Sequence, residues 1–136
     1  MVTLRHRARI LVQRFGIDIS RFPGADPVYV LVRLLQSHSV NVVLDVGANS
    51  GRYGEDLRRL GYSERIISFE PLCDPFAKLV ATAESDSLWE AYPYGIGDTE
   101  RMVTLNVAAN EGESSSILPM LDAHVQAAPS AVYVGS

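Results

Sequence analysis

Cysteine is almost absent from the sequence, which contains only Cys73. A single cysteine forms no internal disulfide, so a disulfide-stapled secreted scaffold is excluded and a reducing, cytoplasmic location is expected. Long apolar runs are absent too. Nothing approaches the ~20 residues of a membrane span, and the apolar run near the N-terminus is too short for a signal peptide. Cys73 itself is predicted to be a small core filler rather than a nucleophile.

Positive charge is the second shortage. Lys78 is the only lysine, and 12 basic residues face 16 acidic ones, which gives a formal net charge of −4 at pH 7. Because nucleic-acid binding draws most of its affinity from phosphate neutralisation, we expect no nucleic-acid partner. The three histidines show no ligand spacing, so no metal site is expected. The chain has 136 residues, 47% of them hydrophobic, which suffices for one domain with a buried core.

Alternating helix and strand patterns indicate the fold class. Apolar residues recur at helical spacing in three segments: 27–38, 51–60 and 75–85. Three apolar runs predict parallel strands, the first buried on both faces: 40–46, 65–69 and 88–96. Asp26-Pro27 and Asp74-Pro75 each predict an N-cap followed by proline at the first helical position. This order predicts an α/β fold with a Rossmann-like doubly wound parallel sheet.

The pattern is weaker beyond the third predicted strand. Clean alternation over 102–108 predicts a half-exposed strand, either antiparallel to the third strand or continuing it, because the connection is too short for a parallel crossover. A polar loop over 110–116, a short helix over 117–126 and the start of a strand over 131–134 complete the prediction.

Special residues cluster where the predicted strands end, which in open parallel sheets is the ligand-binding edge. The turn after the first strand contains Gly47 and Gly51, which let the backbone approach a ligand without a Cβ in the way, and Asn49, which tolerates left-handed backbone angles. Glu70 ends the second strand, where a carboxylate can accept both hydroxyls of a ribose. Asp98 follows the third strand, from where its side chain can reach an adenine amino group.

The turn Asp45-Val46-Gly47-Ala48-Asn49-Ser50-Gly51 resembles motif I of class I S-adenosylmethionine-dependent methyltransferases, with Asn49 in place of the middle glycine. Together with Phe69-Glu70-Pro71 and Ile96-Gly97-Asp98, it resembles the FkbM family of methyltransferases more narrowly, over about residues 40 to 118. Residues 1–39 are then predicted to form an N-terminal helical cap. Residues 40–136 are predicted to form an incomplete, S-adenosylmethionine-binding methyltransferase domain.

The resemblance implies roles for the residues that match. One group would surround the methionine part of the cofactor: Asp45, Gly47, Ala48, Asn49 and Gly51. A second group would hold the nucleoside: Glu70 and Pro71 at the ribose hydroxyls, Gly97 and Asp98 at the adenine. The implied reaction is O-methylation, and the implied acceptor is a small molecule with a sugar or polyketide hydroxyl, such as a glycolipid sugar. No residue is identified as the general base.

Other interpretations of the same residues stay open. A nicotinamide dinucleotide site is disfavoured, because Gly47-x-x-x-Gly51 is not its glycine spacing and Asp45 would place a negative charge near the phosphates. Structural roles are the remaining alternatives: a helix cap for Asp45, a surface acid for Glu70, a plain turn for Asp98, a solvated loop for 114–116, and sheet packing for Trp89, Tyr92 and Tyr94.

Three functions of different classes follow. The chain is predicted to be a methyltransferase, a module that binds S-adenosylmethionine without turnover, or a half-fold that a partner completes. A complete domain of the resembled family has a larger sheet, so the acceptor site is expected in a second half. A half sheet leaves an unpaired edge and under-covered apolar residues such as Val42, Val43 and Leu44, which predicts a homo-oligomer.

Overall fold

The computed structural model describes residues 26–136, so most of the predicted N-terminal cap, residues 1–25, lies outside the described part. Three parallel strands form an open sheet in the order β1-β2-β3: Val42–Val46, Arg65–Phe69 and Trp89–Tyr92. Three helices precede or connect them: α1 Pro27–Ser37, α2 Arg52–Arg59 and α3 Cys73–Ala83. The predicted mixed α/β class with a parallel sheet is therefore confirmed. No helix within this range is both long and apolar enough to cross a membrane.

The helix starts test the two predicted caps differently. Asp26 caps α1 as predicted, because its Oδ1 accepts hydrogen bonds from the amides of Val28 (2.9 Å) and Tyr29 (3.4 Å). The predicted start of α3 at Asp74-Pro75 is wrong, since the helix begins at Cys73. Proline is tolerated in the first helical turn, where its missing N–H has no intrahelical acceptor.

Cys73 is exposed in the first turn of α3, so the prediction that it fills the core is wrong. Apolar character and small size favour burial of a cysteine, but its place on the helix surface decides the outcome.

All three helices pack on one face of the sheet. Val43, Ile66 and Trp89 point to that face and share one core with residues of α1, α2 and α3. The opposite face of β1 stays uncovered by the described residues: Val42, Leu44 and Val46 are 37%, 63% and 59% exposed. The prediction that the first strand is buried on both faces is therefore wrong for the described part. The predicted under-covering is found at Val42 and Leu44, whereas Val43 is half-buried against the core.

Trp89 fits beneath α2 only because two residues there lack a side chain. A Cβ at Gly54 would overlap the indole ring, and a Cβ at Gly51 would lie 2.9 Å from Cδ1 of Leu79 and 3.4 Å from the indole. Trp89 is 7% exposed, which confirms the sheet-packing alternative for this residue. Tyr94, by contrast, is 61% exposed and lies beyond the end of β3.

At the other end of the sheet, the Arg58 side chain connects the segments that precede β2 and β3. Its Nε donates to Oδ2 of Asp86 at 2.6 Å, and its Nη1 donates to the carbonyls of Tyr62 (2.8 Å) and Glu64 (2.7 Å). Its Nη2 donates to the carbonyl of Leu88 at 3.3 Å. The hydrogen bond from Arg58 to Asp86, together with the one from the Leu88 amide, holds the pKa of Asp86 below its usual value. One guanidinium thus connects the loops that lead into β2 and β3.

The chain after β3 departs from several predictions. The strand predicted over 88–96 stops at Tyr92, because Pro93 has no N–H to continue the ladder. The strand predicted over 102–108 is wrong in extent and partner. Within it, Val107–Ala108 forms β4, whose antiparallel partner is β5 (Tyr133–Gly135) rather than β3, and Asn106 forms an isolated bridge to Ser116. The predicted terminal strand is thus found one or two residues later than expected.

The helix predicted over 117–126 is confirmed only in its second half, as α4 (Asp122–Ala127). A short 3-10 helix, Pro129–Ala131, separates α4 from β5. The predicted polar loop over 110–116 contains turns and one isolated bridge at Ser116. Strands β4 and β5 form a small second sheet, which lies beside the ligand-binding edge predicted for the first sheet.

Candidate functional site

The turn after β1 lies directly over the end of β2. The amides of Gly47 and Ala48 both donate to the carbonyl of Phe69, at 2.9 and 3.0 Å. The backbone is left-handed at Gly47, Asn49 and Gly51, with φ of 78°, 48° and 91°. The left-handed conformation predicted to be tolerated at Asn49 is thus adopted there. Ala48 is 6% exposed and belongs to the core, so its side chain anchors the turn.

The two motif glycines serve different purposes. A Cβ on Gly47 would meet no atom within 4 Å, so the space beside this exposed residue is open to a ligand. Gly51 is buried against Leu79 and Trp89, as described above, so its missing side chain is required by the protein's own packing. Of the two close approaches predicted from sequence, the structure leaves only the one at Gly47 facing open space.

Glu70 is a buried carboxylate that ties the two strand ends together. It is 4% exposed, so the alternative of a surface acid is wrong. Its Oε2 accepts the amide of Asn49 and its Oε1 accepts the amide of Leu72, both at 2.8 Å. Each carboxylate oxygen has two lone pairs, so both oxygens can still accept a hydroxyl from a ligand.

Asp45 is the second buried carboxylate, at 9% exposure. Its Oδ2 accepts a hydrogen bond from the Ser68 hydroxyl at 3.1 Å. Burial raises the pKa of Asp45 above the ordinary 3.8, the Ser68 hydrogen bond opposes this, and the charge of Glu70 adds to it. The N-cap of α2 is Gly51, with no side-chain hydrogen bond, so the alternative of a helix cap for Asp45 is wrong.

Tyr53, in the first turn of α2, completes the titratable groups around Asp45. Burial raises the pKa of Tyr53, and the charge of Asp45 raises it further. Tyr53 is therefore an electrostatic neighbour of Asp45.

Gly97 and Asp98 lie in the segment after β3 that has no helix or strand. A Cβ on Gly95 would meet Pro71 at 3.9 Å, which brings this segment beside the end of β2. Asp98 is exposed, and the Thr99 hydroxyl is its only hydrogen-bond donor within residues 26–136, at 3.3 Å. The structure therefore brings Asp45 and Glu70 to neighbouring strand ends, whereas Asp98 lies at an exposed bend of the segment after β3.

The polar loop predicted over 110–116 contacts both strand ends through Glu111 and Gly112. The Asn49 side chain donates from Nδ2 to the carbonyl of Glu111 at 3.0 Å, and a Cβ on Gly112 would lie 2.6 Å from Cδ1 of Leu72. Glu111 and Gly112 are both left-handed, with φ of 56° and 83°. The polar composition and Gly112 indicated a turn here, but nothing in the sequence indicated which surface the turn would meet.

The serines of the same loop shape it from within. Ser115 Oγ accepts the Ala108 amide at 3.1 Å, and Ser114 Oγ accepts from the Asn110 side chain at 2.9 Å. Ser114 thus bonds within the loop and Ser115 bonds to β4, so both side chains help to fold the loop instead of being fully solvated.

The charge of the site limits the ligands it suits. Two acidic side chains lie beside Gly47, and no basic side chain among residues 26–136 donates a hydrogen bond to them. Across residues 26–136, no three His, Cys, Asp or Glu side chains are grouped so as to hold a metal ion. Buried carboxylates attract amino groups, cations and hydroxyl donors, and they repel phosphates.

Comparison with models of known protein families finds none that matches this chain, and comparison with curated proteins finds no match either.

Proposed function

We propose that this chain binds S-adenosylmethionine at the carboxyl ends of β1 and β2 and is an FkbM-like methyltransferase with a Rossmann-like doubly wound fold. One observation carries the proposal: two buried carboxylates, Asp45 and Glu70, end adjacent parallel strands beside the open space at Gly47. A ligand that combines a cationic amino acid part with ribose hydroxyls satisfies both carboxylates at once.

The residues present fit this ligand better than a dinucleotide. The charge of Asp45 favours an ammonium or sulfonium group, and the remaining lone pairs of Glu70 suit the two ribose hydroxyls. The same two charges would repel a pyrophosphate seated at the turn. In this proposal, Pro71 and Gly97 border the nucleoside and Asp98 contacts the adenine edge from the exposed segment after β3.

The proposed reaction is O-methylation of a small-molecule hydroxyl on a sugar or polyketide. When bound, the cofactor supplies an electrophilic methyl group, and transfer requires chiefly that acceptor and methyl be held in line. In this chain Asp45 and Glu70 hold and orient the two ends of the cofactor. An alcohol acceptor also requires a general base, a role that we assign to none of the residues of the site.

Titration calorimetry with S-adenosylhomocysteine tests the site. We expect the wild-type protein to bind and Glu70→Gln to weaken binding by about tenfold, because hydrogen bonds to a charged acceptor contribute roughly 1.5–3 kcal/mol. Glu84→Gln, which changes an exposed carboxylate at the end of α3, is the matched control and should bind like the wild type. Absence of binding by the folded wild-type protein would overturn the proposal.

We also propose that the protein is a homo-oligomer. Strand β1 exposes the apolar side chains of Val42, Leu44 and Val46 on one face, and no described residue pairs with its outer edge. Proteins normally cover such a strand with another chain or element. Light scattering after size exclusion should give at least a dimer mass, and Leu44→Lys should shift it towards a monomer. A wild-type monomer at micromolar concentration would contradict the proposed homo-oligomer.

We also propose a cytoplasmic location, which the lone cysteine suits.

A further inference from the structure

Three buried polar groups form a continuous hydrogen-bonded chain behind the site. The Trp89 indole Nε1 donates to Ser68 Oγ at 3.0 Å, and Ser68 Oγ donates to Oδ2 of Asp45 at 3.1 Å. Trp89, Ser68 and Asp45 are 7%, 0% and 9% exposed. They lie on β3, β2 and β1, on the face that the helices cover.

The direction of these hydrogen bonds is fixed by chemistry. An indole N–H only donates, so it occupies an acceptor lone pair of the Ser68 hydroxyl. An ionised carboxylate only accepts, so the single hydroxyl hydrogen of Ser68 must point to Asp45. Because Ser68 is fully buried, water does not compete for that hydrogen. One oxygen of Asp45 is therefore committed, and no donor among the described residues reaches the other, Oδ1.

We propose that Ser68 and Trp89 are positioning residues for Asp45, holding Oδ2 so that Oδ1 is presented to the cationic part of the ligand. The inference rests on the proposed function, since it assigns Asp45 a ligand. It explains why a serine interrupts the apolar strand Ile66-Ile67-Ser68-Phe69 and why the one tryptophan of the chain is placed beside it. Neither residue touches the ligand in this arrangement.

Besides Ser68, two titratable groups among the described residues lie near Asp45. From the end of β2, the Glu70 carboxylate disfavours its ionisation, and the phenol of Tyr53 faces it from α2. Ser68 is the group that opposes the effect of burial, because its hydroxyl donates to the ionised form. Removing that donor should raise the pKa of Asp45, while a change remote from the chain of hydrogen bonds should leave it unchanged.

Nuclear magnetic resonance can follow the chain of hydrogen bonds directly, because one tryptophan gives one indole N–H resonance. In the wild type we expect this resonance to shift with pH at the midpoint measured for the Asp45 carboxyl carbon. In Ser68→Ala the coupled shift should disappear and the Asp45 midpoint should rise. Trp89→Phe retains a ring and removes the N–H, so the Asp45 midpoint should rise there by a smaller amount.

Binding supplies the second measurement. Ser68→Ala should weaken S-adenosylhomocysteine binding by about tenfold, the scale of one hydrogen bond to a charged group. Trp89→Phe should weaken it severalfold. Tyr92→Phe is the matched control: it removes a ring-borne hydrogen bond to Glu90 on the same strand, exposed and separate from Asp45, and should change neither measurement.

The outcomes separate the two proposals. A wild-type indole resonance that ignores the Asp45 titration, or an Asp45 midpoint that is the same in wild type, Ser68→Ala and Trp89→Phe, would overturn the positioning role. Equal binding by these three proteins would overturn it too, while leaving the proposed cofactor in place. Coupled titration in a wild-type protein that does not bind S-adenosylhomocysteine would instead overturn the cofactor. If Ser68→Ala does not fold, the Asp45 midpoint and the binding affinity of Trp89→Phe still test the positioning role, because neither measurement requires the indole resonance.

Discussion

Asp45→Asn should abolish most of the affinity for S-adenosylhomocysteine and, at the same time, raise the midpoint of thermal unfolding at pH 7. The loss of affinity follows from the removal of the negative charge proposed to hold the ligand's amino group, worth at least tenfold. The gain in stability follows from burial: a carboxylate at 9% exposure, facing Glu70, is costly to ionise in the folded state. Loss of function with gain of stability distinguishes a ligand-binding residue from a structural one.

The pH dependence of that gain has a definite sign. Burial raises the pKa of Asp45 in the folded state above the ordinary 3.8, so between these values the folded state holds a proton that the unfolded state has released. Stability contributed by the protonated form is complete below 3.8 and is lost as pH rises through the folded pKa. The difference in unfolding free energy between Asp45→Asn and wild type should therefore be small at low pH, grow with pH, and then level off.

Urea unfolding across the pH range, with calorimetric titration at pH 7, measures both effects. Glu84→Gln is again the matched control, because Glu84 is exposed at the C-terminal end of α3, the end remote from Glu70. It should leave binding unchanged and should not reproduce the rise in stability with pH. If Asp45→Asn is less stable than the wild type at pH 7, the Asp45 carboxylate stabilises the fold and the prediction is wrong.

Local signals in the sequence predicted the features that depend on a few neighbouring residues. Asp26 caps α1, Asn49 adopts left-handed angles, and helices that alternate with strands produce a parallel sheet. Each of these features follows from backbone geometry within one or two elements. The strand over 102–108 failed for the opposite reason: alternation predicts a surface but not a partner. The partner came from residues 133–135, more than twenty positions further along the chain.

The groups behind the site were missed although the sequence contained their signals. Ser68 is a polar residue within an apolar strand, and Gly54 is a glycine inside a helix, and both patterns call for an explanation by packing. Ser68 and Gly54 both contact Trp89, which the sequence could not show because Trp89 lies on a later strand, beyond α3. The proposed ligand contacts lie on turns, whereas the residues that support them lie on separate regular elements.

Gly54→Ala should lower stability by roughly 1–3 kcal/mol, although helix propensity alone predicts the opposite sign. Alanine is favoured over glycine inside a helix by about 1 kcal/mol. Here the added Cβ would overlap the Trp89 indole, which is buried in the same core cluster as Leu79. Packing should prevail because the indole is held by its hydrogen bond to Ser68 as well as by its neighbours.

A double-mutant cycle with Trp89→Phe tests this cause. The Gly54 Cβ would overlap Cε2, Cζ2 and Cη2 of the indole, a position that the smaller ring of phenylalanine leaves free. We therefore expect Gly54→Ala to be much less destabilising in the Trp89→Phe background, with a coupling free energy of about 1 kcal/mol or more. Gly95→Ala, whose Cβ would make an ordinary contact with Pro71 at 3.9 Å, is the matched control. Additive effects would assign the cost of Gly54→Ala to the helix itself. Coupling would instead assign the cost to the contact with the indole. Because that indole donates to Ser68, we then expect Gly54→Ala alone to disturb the Asp45 titration as well.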